Sequence, residues 1–339
     1  MAILTSVSSG HPLRRIGIPR ALLYHRYGIL WETFFQALGY EVILSGQTTR
    51  ALMGAGDRAS IDEACLASKA YMGHVANLVD RVDAIFIPSF ASVNHRAGFC
   101  TKFQSLPDMV VNTFRDEKLD VIALSIDDVT DERKTKAAYI DMAVHLGAAP
   151  RDAKRAYKEA TTAQAAADEA RARRTAETIS LIERYRKVAA SDPSKREQAP
   201  PLLLMVTHPY LSHDDYLCGD VADAIHDAGA FLIQADECDH AKSLKRSYDF
   251  SETLPWLVNR ELAGAALDLQ DAVDGIISVS AFPCGPDSMF TDALMRRVQG
   301  IPILHLTIDA QSGSAGMQTR IESFIDILRF KQEGGYLSA

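Results

Sequence analysis

Apolar and polar positions along the first third of this chain fall into short blocks whose period alternates between that of a strand and that of a helix. Arg15-Ile16-Gly17-Ile18-Pro19 is a brief apolar run ended by proline, the pattern of a buried strand. From Tyr27 to Leu38 the apolar residues recur at helical spacing (Leu30, Trp31, Phe34, Phe35, Leu38), and Gly39 follows where a C-terminal cap belongs. Glu41 to Leu44 reads as a second strand and Ile61 to Val79 as a helix. Val82 to Ile87 reads as a third strand stopped by Pro88, and Val121 to Leu124 as a fourth. Strands separated by helices of this length predict a parallel sheet.

Between 131 and about 191 the pattern changes: charges and alanines dominate, and no proline occurs between Pro150 and Pro193. One or two long helices are predicted there, in the manner of a solvated spacer. The polar stretch Asp192 to Pro201, with Pro193 and Pro200-Pro201, reads as a boundary. The strand–helix alternation then restarts. Strands are predicted at Leu202–Val206, Phe231–Ile233, Val273–Val279 and Ile303–Ile308, with helices ending at Ala228, spanning Pro255–Leu269, and closing the chain from about Met317 to Phe330. The expected fold class is α/β: two Rossmann-like parallel-sheet domains, 1–130 and 202–339, joined by a helical spacer and linker over 131–201. In such sheets ligands bind outside the carboxyl ends of the strands.

Composition narrows the choice of partners. The 36 basic and 44 acidic residues give a net charge of −8, which argues against nucleic acid or an anionic membrane surface. No stretch approaches the roughly 18 apolar residues of a membrane-spanning helix. The start, MAILTSVSSGHPLRR, places its arginines after its apolar patch, unlike a secretory signal. We read it as a loose leader to the first strand of a cytoplasmic protein.

The chemistry-bearing candidates are cysteines. Five occur, without a dense pattern, so a disulfide framework is not expected. For any one of them alone, a small buried hydrophobe is the better reading. Cys284, in PCGPD, follows a predicted strand and precedes a helix. Pro283 and Pro286 stiffen its loop, and Gly285 lets backbone approach a bulky ligand. A thiol at such a helix start is biased toward thiolate. Cys100 follows the third strand in a polar loop carrying Asn94, His95 and Arg96, and Cys65 marks a loop-to-helix transition. Cys218 and Cys238 lie in the second half without flanking prolines. No C-x-x-C zinc spacing, phosphate loop or nucleophile elbow is present. His208 and His213 are five residues apart, weak metal spacing that fits structural histidines better. The glycine-rich piece Ser312 to Gly316 reads equally as an anion-binding helix start or a flexible capped loop.

Several segments taken in order carry a resemblance. They are GIPRALLYHRYGILWETFFQALGYEVILSGQT, the E-A-C-x-x-x-K-x-x-x-G-H stretch from Glu63 to His74, AIFIP, CTKFQSLP, HPYLSHDD, NRELAGAALDLQDAVDGI, PCGPD and IDAQSGSAGMQTRIE. Together they resemble the acyl-CoA dehydratase activase-related family. That family is similar to the iron–sulfur subunits of 2-hydroxyacyl-CoA dehydratases, benzoyl-CoA reductases and double-cubane-cluster proteins. The resemblance covers about Arg15 to Phe330, interrupted by the spacer.

It implies a 4Fe–4S cluster, or part of a larger one, held by three cysteines in a cleft between α/β domains. The matching positions are Cys65, Cys100 and Cys284, and cysteine thiolates suit such a cluster. It also implies a separate ATP-hydrolysing activase as electron donor, with a homo- or heterodimeric assembly. Where the family carries proline near its first two cysteines, this chain has Leu66-Ala67 and Thr101. Lys69, His74 and Gln104 are candidates for supporting positions. The leading expectation is an iron–sulfur protein that accepts low-potential electrons for a difficult reduction or radical dehydration. The alternatives are a non-catalytic iron–sulfur binding or maturation partner, and a metal-free α/β binding protein.

Overall fold

Both halves of the chain build a parallel sheet, as the alternation predicts. The computed structural model describes residues 4–5, 13–91, 98–191, 200–309 and 314–332. Contacts divide the chain into two units: Met1–Ala167 with Thr253–Leu257, and Asp168–Glu252 with Val258–Ala339.

The first unit contains β1 (Leu4–Thr5), β2 (Arg15–Ile18), α1 (Tyr24–Ala37), β3 (Glu41–Leu44), α2 (Arg50–Arg58), α3 (Leu66–Leu78), β4 (Ala84–Phe90), α4 (Thr101–Gln104), α5 (Leu106–Thr113), β5 (Val121–Ile126) and α6 (Glu132–His145). Its sheet has the order β1-β5-β4-β2-β3. Four strands are parallel, and β1 joins the edge antiparallel to β5. The leader read as loose thus contributes two residues to the sheet. Trp31, Phe34 and Phe35 on one stripe of α1 bury against Phe86 and Tyr139. The Trp31 indole N–H donates to the Tyr139 hydroxyl at 2.8 Å.

Pro88 does not stop β4, which continues to Phe90. The amides of Ile85 and Ala91 donate toward β5, so the nitrogen of Pro88 faces the opposite side. There the ladder to β2 has already ended at Gly17↔Ile85, and no donor is required. The helix read from Ile61 begins at Leu66, and α2 was not anticipated. Thr49 caps α2 by accepting from the Leu52 amide.

The charge-rich stretch forms α7 (Pro150–Ser191), a helix of 42 residues that contributes to both units. It is more than a solvated spacer. Ala153, Ala156 and Ala160 are fully buried on one stripe, and Gln164 bonds the backbone of Leu30 and Arg26 in the first unit. Farther along, Arg186 bonds Asp274 and the Ala272 carbonyl in the second unit.

The second unit continues with β6 (Leu202–Val206), α8 (Pro209–Ser212), α9 (Asp215–Asp227), β7 (Phe231–Gln234), α10 (His240–Phe250), α11 (Leu257–Leu269), β8 (Gly275–Ala281), α12 (Gly285–Arg297), β9 (Ile303–Ile308) and α13 (Ser314–Gln332). Its four parallel strands run in the order β7-β6-β8-β9. The middle strands β6 and β8 are buried along their whole length, as expected of strands covered on both faces. The fold is therefore α/β with two Rossmann-like parallel sheets.

Candidate functional site

Cys65, Cys100 and Cys284 occupy one local arrangement. Each is the N-cap residue of a helix, with extended backbone at ψ 152°, 156° and 108° before α3, α4 and α12. Each is half-buried, so none is sealed in a core. Cys65 and Cys100 belong to the first unit and Cys284 to the second. Among the described residues, no group of three or more His, Cys, Asp or Glu side chains is disposed to hold a metal ion.

Local packing explains each placement. Cys65 is carried by α3, which lies hard against α2. A Cβ on Gly56 would come within 1.9 Å of the Lys69 carbonyl oxygen, and one on Gly73 within 2.3 Å of the Leu52 carbonyl oxygen. Only glycine allows that approach. The C-terminal end of α3 leads into β4, so its first turn lies toward the carboxyl ends of the strands. Cys100 follows Gly98, which pairs with Trp256 through two backbone bonds, from Gly98 N–H to Pro255 and from Leu257 N–H to Gly98. Phe99 then packs edge-on against Phe90 and Phe103, fixing the turn just beyond β4. Cys284 follows β8, after the cis bond between Phe282 and Pro283. A Cβ on Gly285, the next residue, would meet nothing within 4 Å among the described residues.

A polar side chain stands at the third helical position beside two of the three thiols. Cys65 Sγ lies 3.2 Å from Ser68 Oγ. Asp287 stands at that position after Cys284. Asp287 is 3% exposed and is held from several directions. The Asn259 amide donates to it at 3.0 Å, His208 Nε2 lies 3.0 Å away, and the Tyr210 hydroxyl reaches its other oxygen at 3.5 Å. Burial pushes the Asp287 carboxyl up, but the charge and hydrogen bond of His208, with the bond from Asn259, hold it below the ordinary 3.8. Burial likewise pushes His208 down, and the Asp287 charge outweighs this and leaves it above 6.5.

The other two cysteines differ. Burial, reinforced by neighbouring carboxylates, pushes the thiols of Cys218 and Cys238 up to about 12. Neither precedes a helix as its cap. Cys218 lies inside α9.

Of the expected supporting residues, Lys69 forms an ion pair with Asp57 at 2.7 Å. His74 is fully buried, with Nδ1 2.8 Å from Ser45 Oγ and Nε2 3.0 Å from Thr48 Oγ1. It ties α3 to the segment after β3 and points at no thiol. Gln104 is exposed, while its carbonyl accepts from Ser89. His213, half-buried, pairs with Asp236 at 2.7 Å, just past β7. Asn94, His95 and Arg96 lie outside the described residues, as do Ser312 and Gly313 of the glycine-rich piece, whose Ser314 to Gly316 open α13. The Asp287 network was missed by sequence reasoning. Its one local sign is an acidic residue three positions beyond a cap cysteine.

A family model, the CoA enzyme activase uncharacterised domain (DUF2229), matches residues 15–237, about two thirds of the 339-residue chain. The chain belongs to this family. The matched DUF2229 stretch takes in Cys65, Cys100 and Cys218 and ends before Cys238 and Cys284. No curated protein matches the chain. Within DUF2229, then, this member carries its first two cap cysteines inside the matched region and the third beyond it. No helix among the described residues is long and apolar enough to cross a membrane.

Proposed function

We propose that this chain is an iron–sulfur protein that accepts low-potential electrons from a separate ATP-hydrolysing activase, serving a difficult reduction or radical dehydration of a CoA-linked substrate. Cys65, Cys100 and Cys284 would hold a 4Fe–4S cluster or part of a larger one. The observation that carries this reading is the shared helix-cap placement of three half-buried thiols, set apart from Cys218 and Cys238, which cap no helix and whose thiols are pushed up to about 12. Membership of a family described as a CoA enzyme activase domain supports a part in CoA-enzyme activation and an enzyme as partner.

The residues present fit such a group by their donor chemistry. Cap cysteines present sulfur beside backbone N–H groups that no helical carbonyl uses, and a first turn favours negative charge. Ser68 Oγ, 3.2 Å from the Cys65 sulfur, can donate a hydrogen bond to a ligating thiolate. When bound, the cluster supplies one-electron chemistry at low potential.

The experiment is anaerobic purification and reconstitution, followed by iron and acid-labile sulfide analysis. About four irons per chain are expected for a cubane, and fewer than about two would overturn the reading. Single Cys→Ala changes at 65, 100 and 284 should each lower the iron content, while Cys218→Ala leaves it unchanged. Among the described residues no ligand group is gathered, which favours a second reading, a metal-free α/β binding protein. Iron-free protein after reconstitution would select it. Iron without activase-dependent reduction would select a non-catalytic binding or maturation partner.

A further inference from the structure

We propose that the turn between β2 and α1 binds a phosphoryl group, with the Arg20 guanidinium as its cation. The inference stands apart from the cysteines and from the cluster reading. In the first sheet β2 pairs with β3 on one side and with β4 on the other, so the order of winding reverses between β2 and β4. Such a switch point, at the carboxyl ends of the strands, is where parallel sheets take ligands. Arg20 stands there, two residues beyond Ile18, the last of β2. Its backbone is pinned. The Arg20 amide donates to Ser45 Oγ at 2.8 Å, and that hydroxyl lies 2.8 Å from His74 Nδ1.

The guanidinium has no such anchor. Nε is shielded from solvent and meets no acceptor among the described residues, and Arg20 forms no ion pair with any of them. The Glu32 carboxylate on α1 accepts instead from the Tyr24 hydroxyl, at 2.8 Å. A cation just before a helix start opposes the positive end of the dipole, and a shielded donor without an acceptor is unfavourable. An anion in this turn relieves both. The backbone is shaped for one. Leu22 has φ 52°, and Leu23, the N-cap of α1, follows at φ −69° and ψ −10° with no side-chain cap. Left-handed and right-handed residues in succession turn neighbouring N–H groups to one side, the concavity that binds anions. Glycine usually takes the left-handed place, but here a leucine, 5% exposed, occupies it. The turn therefore needs no glycine fingerprint, and Arg20 supplies the charge. Arg20 is half-buried overall, so a ligand can reach it. The oxygens of a phosphoryl group match a forked guanidinium and several amides at once.

The test measures binding of inorganic pyrophosphate to the full-length chain by equilibrium dialysis at constant ionic strength. Arg20→Gln should weaken binding about tenfold or more, the effect of losing one charge-assisted hydrogen bond. Arg20→Lys keeps the charge but loses the fork, and should bind between the two. It carries the test should the glutamine variant fail to fold. Without pyrophosphate, Arg20→Gln should melt no lower than the parent chain, since an unpaired cation is removed. No binding to the parent chain overturns the proposal, and so does equal binding by parent and variant. A variant that melts lower yet binds normally makes Arg20 structural, which also overturns it. Competition against pyrophosphate separates the sources of the phosphoryl group. Displacement by ADP supports a nucleotide, displacement by coenzyme A supports that carrier, and displacement by neither supports a free inorganic anion.

Discussion

Asp287, the buried third residue of the helix that Cys284 caps, accepts a hydrogen bond from the Asn259 amide at 3.0 Å. A cap residue and its third helical neighbour normally satisfy each other's backbone. Here the carboxylate turns inward, to His208 beyond β6 and Asn259 on α11.

Thiol reactivity should separate the five cysteines. With their thiols near 12, only about one in 10⁴ of Cys218 and Cys238 is thiolate at pH 8. Iodoacetamide on the native metal-free protein should label Cys65 and Cys100 well before these two. Fast labelling of Cys218 in folded protein would contradict the assignment of the buried pair.

The α2–α3 contact should tolerate no added methyl. In Gly56→Ala the new Cβ would lie 1.9 Å from a backbone oxygen of Lys69, a position no rotamer change relieves. A loss of about 3 kcal/mol or more is expected, because backbone must move. Urea denaturation measures it. The same variant should disturb the site at Cys65, seen as reduced iron uptake, since α3 carries that thiol.

His74 predicts an acid-sensitive limb. Burial, with Arg20 nearby, lowers it from 6.5 to about 4. The unfolded chain therefore binds a proton that the folded one refuses, and stability falls as pH drops from about 6.5 to about 4. The full difference corresponds to about 3 kcal/mol at most. His74→Gln, which can keep one donor and one acceptor between Ser45 and Thr48, should flatten this limb in pH-dependent denaturation. His208 and His213 act in the opposite sense. Their carboxylate partners hold them above 6.5, so their contribution is complete below that pH and fades only above it.

Much of the fold was legible from pattern. β6 and β9 run over the predicted residues, and α1 starts three residues earlier than its periodicity suggested. α2 was missed because Leu52, Met53 and Gly56 give too short an apolar stripe in nine residues. α10 was missed because only Ser243, Ser247 and Phe250 bury, and serine carries no hydrophobic signal. Pro88 misled because a local rule was applied without knowing which side of β4 had lost its neighbour.

By itself the sequence determined most of the succession of strands and helices, the two parallel sheets, and the place of Cys65 and Cys284 where a loop meets a helix, while Cys100 was read only as a loop residue. Period, glycine and proline are local properties, and a single chain displays them. Only the tertiary structure decided that Asp287 sits buried among Asn259, His208 and Tyr210, which lie 28 residues away in the first case and 77 in the last. It also decided that His74 faces Ser45 and Thr48 and not a thiol. Hydrogen bonds and desolvation act through space, and the partners of a buried polar group are chosen by packing, which no local pattern records.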